Sequence, residues 1–377
     1  MDWESHARQM ADEVVQPGSR WYEALGHTPR HVFVPRWWAS GQGVWELRDG
    51  PSDPEEWMRA AYANRTLVTR MGPVHADLAE PGDTVPGGRP TSSSTLPGLV
   101  VNMYRHAMIN GDDRVLVTTG TGYGTALLCW RIGDELVTSV DVDPYLVKAA
   151  TERLDSIGLR PEMAVCDITG PLPEKYHRIV STVSVRPVPV SWLEALRPGG
   201  RLVTTLAGTG LIITADKSTD GGAVGRVEPD PAGFMRTRHG EDYERQTDDL
   251  FKQVEQADGE QVSTSRYPLL YVPDDWAVMS MLELAAPGID HRIAAVGDER
   301  TVWMLHPDGS WARAAAAAFL DSPTVHQGGP RRLWDELERI RHRLNREGTL
   351  PVYGAQVRIA PDGVLTLSRG KWSQTVE

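Results

Sequence analysis

Three glycines and two carboxylates stand at intervals that could hold a nucleoside. Gly120, Gly122 and Gly124 form a GxGxG turn directly after RVLVTT, an apolar run rich in Val and Thr from Arg114 to Thr119. A glycine turn between a strand and a helix can cradle a pyrophosphate, or let an adenosyl group lie against bare backbone; glycines there are also plain turn formers. Asp141 closes the next apolar run, Leu136 to Val142, where its carboxylate could accept both hydroxyls of a ribose. The competing reading is a solvated Asp at a helix start, next to Asp143. Asp167 closes a third run, Met163 to Asp167, where it could accept from the exocyclic amine of an adenine or merely cap a helix. Three such features at three consecutive run ends outweigh any one of them. With Thr121, Tyr123, Val142, Ile168 and Thr182 they form the expected cofactor-binding set.

These residues need elements to position them. TALLCWRI, after the glycine turn, carries apolar residues at helical spacing, and Pro144 suits the first turn of a helix running to about Ile157. RIVSTV and RLVTTLAG read as further strands, with SWLEALRPGG a helix between them. Strands alternating with helices imply a doubly wound parallel sheet that binds its ligand at the carboxyl ends of the strands. The expected fold is therefore α/β, a Rossmann-like core over 101–240, preceded by a helical and loop region, 1–100, that contributes to the substrate site. The stretch from Pro51 to Pro97 is rich in Pro, Gly and Ser and reads as loop. Beyond the core, TVWMLHPDGSWARA is a hairpin signal around Asp308-Gly309, LWDELERIRHRLNREG an amphipathic helix stopped by Gly348, and VYGAQVRIAPDGVLTLSRG a second hairpin. Residues 241–377 are thus expected as a smaller α+β domain, with Trp303 and Trp311 serving either peptide docking or its core.

Composition narrows the partners. A formal charge of −12 over 377 residues repels a phosphate backbone, and no local Lys/Arg face reverses it, which argues against nucleic acid. Cys129 and Cys166 are the only cysteines, too few for a metal cluster, and read as buried structural thiols. The first residues lack the basic flank and apolar core of a signal peptide, and no run approaches the ~18 apolar residues of a membrane span. The expectation is a cytoplasmic monomer with no membrane and no metal.

The chain also resembles the protein-L-isoaspartate O-methyltransferases. HTPRHVFVP (His27 to Pro35) is similar to that family's N-terminal signature and AYANRTLVT (Ala61 to Thr69) to the segment after it. SSSTLP (Ser92 to Pro97) occupies the place of its Ser-x-Pro loop, VLVTTGTGYGTALL resembles its cofactor motif, and SVD and RPGGRLV match later strands. The likeness covers about Trp21 to Leu206. The chain departs from the pattern at Thr118 or Thr119, where the family usually has an acidic residue, and at Asn64, where it usually has Asp. An insertion, roughly Ala39 to Arg59, separates the first two motifs.

What the resemblance implies is S-adenosylmethionine as cofactor, S-adenosylhomocysteine as product, and transfer of a methyl group to a carboxylate. Ser94 and Thr95 are rival candidates for the catalytic hydroxyl, with Tyr62, Asn64, Thr66 and Ser93 around the substrate; loop hydroxyls that cap the following helix are the alternative. The partner implied is a peptide or protein carrying Asp or isoAsp. Relatives with an added C-terminal domain are associated with ribosomal peptide biosynthesis (lanthipeptides, lasso peptides, graspetides), where an aspartate of a constrained peptide is esterified and closes to an aspartimide or yields isoaspartate. Repair of isoaspartyl proteins is the alternative. A cofactor-binding regulator without turnover and a methyltransferase of small carboxylates are readings of other classes.

Overall fold

The computed structural model describes residues 2–41, 44–86, 88–238, 247–318 and 321–376. Its centre is a parallel sheet. The strands Val115–Thr118, Val137–Asp141 and Glu162–Val165 lie side by side in that order, joined by the helices Tyr123–Ile132 and Pro144–Ser156. Tyr176–Val185 then pairs on the opposite edge of Val115–Thr118, followed by Leu196–Leu206. The chain reverses its direction of winding between Val115–Thr118 and Tyr176–Val185, which opens a crevice at their carboxyl ends. The expected Rossmann-like doubly wound core is present.

Local chemistry explains these elements. The Asp143 side chain accepts the Tyr145 amide hydrogen bond at 3.0 Å, and Pro144 takes the first helical position, where no amide is needed. Gly122 has φ of +91°, and a Cβ there would sit 3.0 Å from the Ala150 Cβ, so glycine lets the two helices approach. The helix expected over SWLEALRPGG is shorter: Val190–Ala195 is helical and Leu196 already belongs to the next strand, because Pro198 cannot continue a helix.

The stretch expected as loop from Pro51 to Pro97 is instead structured. It contains the helix Pro54–Ala61 and the strands Leu67–Met71, Val74–His75, Thr84–Pro86 and Pro90–Ser94. Together with the hairpin Arg36–Gly41/Val44–Asp49 they form a six-stranded sheet among the described residues. These strands are short and partly made of Ser, Thr and Pro, so their sequence carries no period; burial of Trp38 and Met71 between them supplies the stability.

The expected boundary at 240/241 falls in 239–246, outside the described residues. Past it, Gln261–Thr264 and the strands from Asp290–Val296 to Thr324–Gly328 form a five-stranded antiparallel sheet. The last strands, Gln356–Ile359, Leu365–Arg369 and Trp372–Val376, instead extend the central sheet beyond Ala223–Pro231, giving ten strands among the described residues. One hydrophobic cluster runs from Ile179 and Trp192 to Met304, Trp334 and Val357, so the two sheets share a core. Trp303 and Trp311 are buried with Val254 and Leu305, and Trp303 meets Phe251 edge-on at 5.4 Å; this is core packing rather than a docking surface. No helix among the described residues is long and apolar enough to cross a membrane.

Arg30, in the N-terminal signature, is fully buried and has no acidic partner among its hydrogen bonds. Its guanidinium donates to the carbonyls of Ala61 (2.8 Å), Ala63 (2.9 Å), Arg65 (2.9 Å), Ser94 (3.2 Å) and Thr95 (3.2 Å), and lies 5.3 Å from the centre of the Tyr123 ring. Burial lowers its pKa to about 10, so it stays charged at neutral pH. Arg30→Met should lower unfolding stability by about 3 kcal/mol, because the carbonyls it holds would be left buried and unpaired. Arg30→Lys should recover less than half of that, since an ammonium cannot span the same acceptors. Urea unfolding of the two variants checks this; an Arg30→Met protein as stable as the parent would contradict it.

Candidate functional site

The crevice at the switch point contains a cavity of about 240 Å³. Gly120, Asp141, Val142, Asp167, Ile168 and Thr182 line it from the strand ends, and Thr66, Ser93 and Thr95 line it from the N-terminal sheet. Thr121, Gly122, Tyr123 and Gly124 do not reach its wall. Thr121 and Tyr123 are buried, and Gly124 lies under the neighbouring helix, where a Cβ would come 2.9 Å from the Tyr104 hydroxyl. These four shape the turn. Gly120 is the one glycine of the GxGxG turn that faces the cavity: its φ is +51° and a side chain there would point at the Ser93 carbonyl, 3.6 Å from the Cβ.

Asp141 is held in place by two backbone donors, the Gly120 amide to Oδ2 at 3.0 Å and the Asp143 amide to Oδ1 at 3.1 Å. Each oxygen keeps further acceptor capacity, which suits two vicinal hydroxyls. Burial raises the Asp141 pKa, partly opposed by those amides and by the positive charge of Arg238. Asp143 behaves oppositely. A hydrogen bond from His75 at 3.1 Å, with the Tyr145 amide at 3.0 Å and Arg70 at 3.8 Å, brings it down to about 2, and Arg238 lies 4.0 Å away. Asp167 accepts both the amide (2.9 Å) and the hydroxyl (2.7 Å) of Thr169, which fixes the turn that carries Ile168. Thr118 and Thr182 face each other across the switch point with their hydroxyls 2.6 Å apart.

The substrate-side candidates separate. Thr95 and Ser93 line the cavity, whereas Ser94 is buried beside Arg30, 3.5 Å from its guanidinium. Thr66 lines the cavity and its hydroxyl accepts the Leu96 amide hydrogen bond at 3.2 Å. Asn64 turns away: its carbonyl oxygen accepts from the Gly98 amide at 2.9 Å and caps the helix Pro97–His106. Tyr62 is buried with its hydroxyl 2.7 Å from Nδ1 of His31, a histidine whose pKa burial lowers to about 4. Both support the wall from behind.

Sequence reasoning missed one whole side of the site. Gly233 to Arg238 cross the cavity as a strap, tied to the end of Tyr176–Val185 by the Ser184 amide donating to the Met235 carbonyl (2.7 Å) and the Thr237 amide to the Ser184 carbonyl (2.9 Å). The strap rests on a single residue of that strand, so no periodicity could mark it. Cys166, expected as a buried thiol, instead follows the strand Glu162–Val165 and lines the cavity. His75 and Arg70 were missed because the stretch that holds them carries no element signal.

The residues fit an adenosyl group. Bare backbone at Gly120, a buried acceptor at Asp141, the apolar side chains of Val142, Ile168 and Leu146, and Asp167 all line one cavity. The chain is also similar to known proteins. Residues 84–229 match the family model described as protein-L-isoaspartate(D-aspartate) O-methyltransferase. A protein-L-isoaspartate O-methyltransferase of Aeropyrum pernix is 30% identical over 214 residues, covering 54% of this chain and 66% of that protein. One of Thermotoga maritima is 30% identical over 124 residues, covering 32% of this chain and 39% of its own length. The chain therefore spans less than two thirds of each of these two relatives. A solved protein-L-isoaspartate O-methyltransferase structure superposes with a TM-score of 0.48 at 16% identity, over 100% of this chain and 99% of the other.

Asp141 provides the direct check. Asp141→Asn should weaken S-adenosylhomocysteine binding by about 30-fold, corresponding to about 2 kcal/mol for a lost charge-assisted contact. In the parent protein, affinity should fall on acidification as Asp141 protonates, and this should begin above the ordinary carboxylate range because burial raises its pKa. Calorimetric titration across pH measures both; an affinity indifferent to the substitution would remove Asp141 from the site. From Thr84 to Pro229 the chain thus matches the protein-L-isoaspartate(D-aspartate) O-methyltransferase family model, and its central strands and helices have a Rossmann-like, doubly wound arrangement.

Proposed function

We propose that this chain is a carboxyl methyltransferase acting on an aspartyl or isoaspartyl residue in a peptide. The observation that carries the reading is the shared cavity: the hydroxyl-bearing Thr66, Ser93 and Thr95 face the same space as Gly120, Asp141 and Asp167. Bound there, S-adenosylmethionine supplies a methyl group already activated on a sulfonium. The chain's own residues then have only to place and desolvate a nucleophile that is ionised at neutral pH. Hydroxyls such as Thr95 orient a carboxylate without neutralising it. Arg30 fixes the Thr95 carbonyl and so the pose of that hydroxyl, and the strap Gly233 to Arg238 limits water.

Two peptide classes fit. A constrained ribosomal peptide, whose methyl ester closes to an aspartimide by attack of the next backbone nitrogen with loss of methanol, is favoured by the second sheet standing beside the strap. Isoaspartyl repair is favoured by the names of the two relatives above, both protein-L-isoaspartate O-methyltransferases.

Mass spectrometry of a linear isoaspartyl peptide and a cyclised aspartate peptide, each incubated with enzyme and S-adenosylmethionine, separates them. A methyl gain followed by loss of methanol on the cyclised peptide alone supports peptide tailoring. Methylation of the linear isoaspartyl peptide alone supports repair, and modification of neither defeats the proposal. On whichever peptide reacts, Thr95→Ala should lower kcat/KM by about 10- to 100-fold, as expected for one lost hydrogen bond to an ionised group. S-adenosylhomocysteine affinity should stay unchanged.

A further inference from the structure

On the far side of the strap lies a second depression, a groove of about 660 Å³. Arg89 borders it from the N-terminal sheet, Asp290 and His306 from the five-stranded sheet, and Phe234, Met235 and Arg236 from the strap. The last three also line the cavity, so the strap is a wall common to both spaces.

The groove's charges are arranged asymmetrically. Arg89 pairs with Asp290 at 2.9 Å, and the side chains are 52% and 18% exposed. Arg236 pairs with Glu283 at 3.5 Å, and here the exposures are 53% and 8%. In both pairs the carboxylate lies inside and the guanidinium faces out. Glu283 is fixed further by the Gly288 amide at 3.0 Å and by Arg186 at 3.5 Å. A chain of net charge −12 thus presents two cations at the mouth of a groove adjoining its reactive cavity. The Arg89 guanidinium has five N–H donors, so its pairing with Asp290 does not exhaust it.

We propose that this groove docks the substrate segment flanking the methylated residue, and that the segment is extended and acidic. The inference rests on the peptide reading above. The strand Asp290–Val296 starts at the groove and, among the described residues, pairs only with Glu299–Leu305. Its other edge offers backbone donors and acceptors to a chain leaving the groove, and Ile293 and Val296 are exposed along it without a Lys or Pro to guard it.

The test uses two fluorescently labelled synthetic peptides that share one isoaspartyl residue, one flanked by three glutamates and the other by three lysines. Anisotropy in the presence of S-adenosylhomocysteine measures binding, and mass spectrometry measures ester formation. The glutamate peptide should bind at least about 10-fold more tightly than the lysine peptide. Arg89→Gln should remove most of that preference and Arg89→Lys should retain it, with thermal midpoints close to the parent's. Equal binding of the two peptides, binding of neither, or a preference untouched by Arg89→Gln overturns the groove assignment. Arg89-dependent binding without ester on either peptide leaves the groove standing and counts against carboxyl transfer to isoaspartyl peptides; ester formation without a charge preference does the reverse.

Discussion

The site depends on a buried positive charge that has no carboxylate to answer it. Taking a guanidinium out of water is costly, and at Arg30 the cost is offset by backbone carbonyls from two separate segments, 61–65 and 94–95. Because those carbonyls must converge on one planar group, the two segments have one relative position. Thr66 follows a residue whose carbonyl Arg30 holds, and Thr95 supplies such a carbonyl itself, so the hydroxyl side of the cavity inherits the geometry of the fork. The contact with the Tyr123 ring ties the same cation to the start of the glycine-turn helix. The hydroxyl-bearing side and the glycine-turn side of the cavity are thus referenced to one atom group.

The strand-end side of the cavity was legible in the sequence because it is built from repeated local rules. An apolar run, a turn and a carboxylate at the run's end recur with Gly120, Asp141 and Asp167, and each is set by its own neighbours. The other half was not legible, for physical reasons that differ by residue. Asn64 reads as a substrate ligand because polar side chains in a loop carry no sign of direction; it caps a helix 34 residues further on. The strands around Trp38 are too short and too polar to show a period, and their stability comes from contacts distant in sequence. The strap Gly233 to Arg238 is held by bonds to Ser184, a residue that gives no hint of them.

Charge around the strand ends follows one logic. Asp141 and Asp143 stand two residues apart, yet burial lifts one pKa while a histidine, a backbone amide and Arg70 depress the other. Arg238 lies near both, and it arrives on the strap. The segment that covers the cavity therefore adds a positive charge near its floor, and the N-terminal sheet acts on Asp143 through His75 and Arg70.

The last strands of the chain join the central sheet at Ala223–Pro231, after the five-stranded sheet has been completed. In topological terms that second sheet is an insertion within the first, tethered by an outgoing and a returning crossing. A body held at two points on one rigid edge loses most of the freedom to swing that a single linker would allow. The spacing between the two sheets is then a property of the fold, and any chain laid between them would have to conform to an existing width rather than be closed upon.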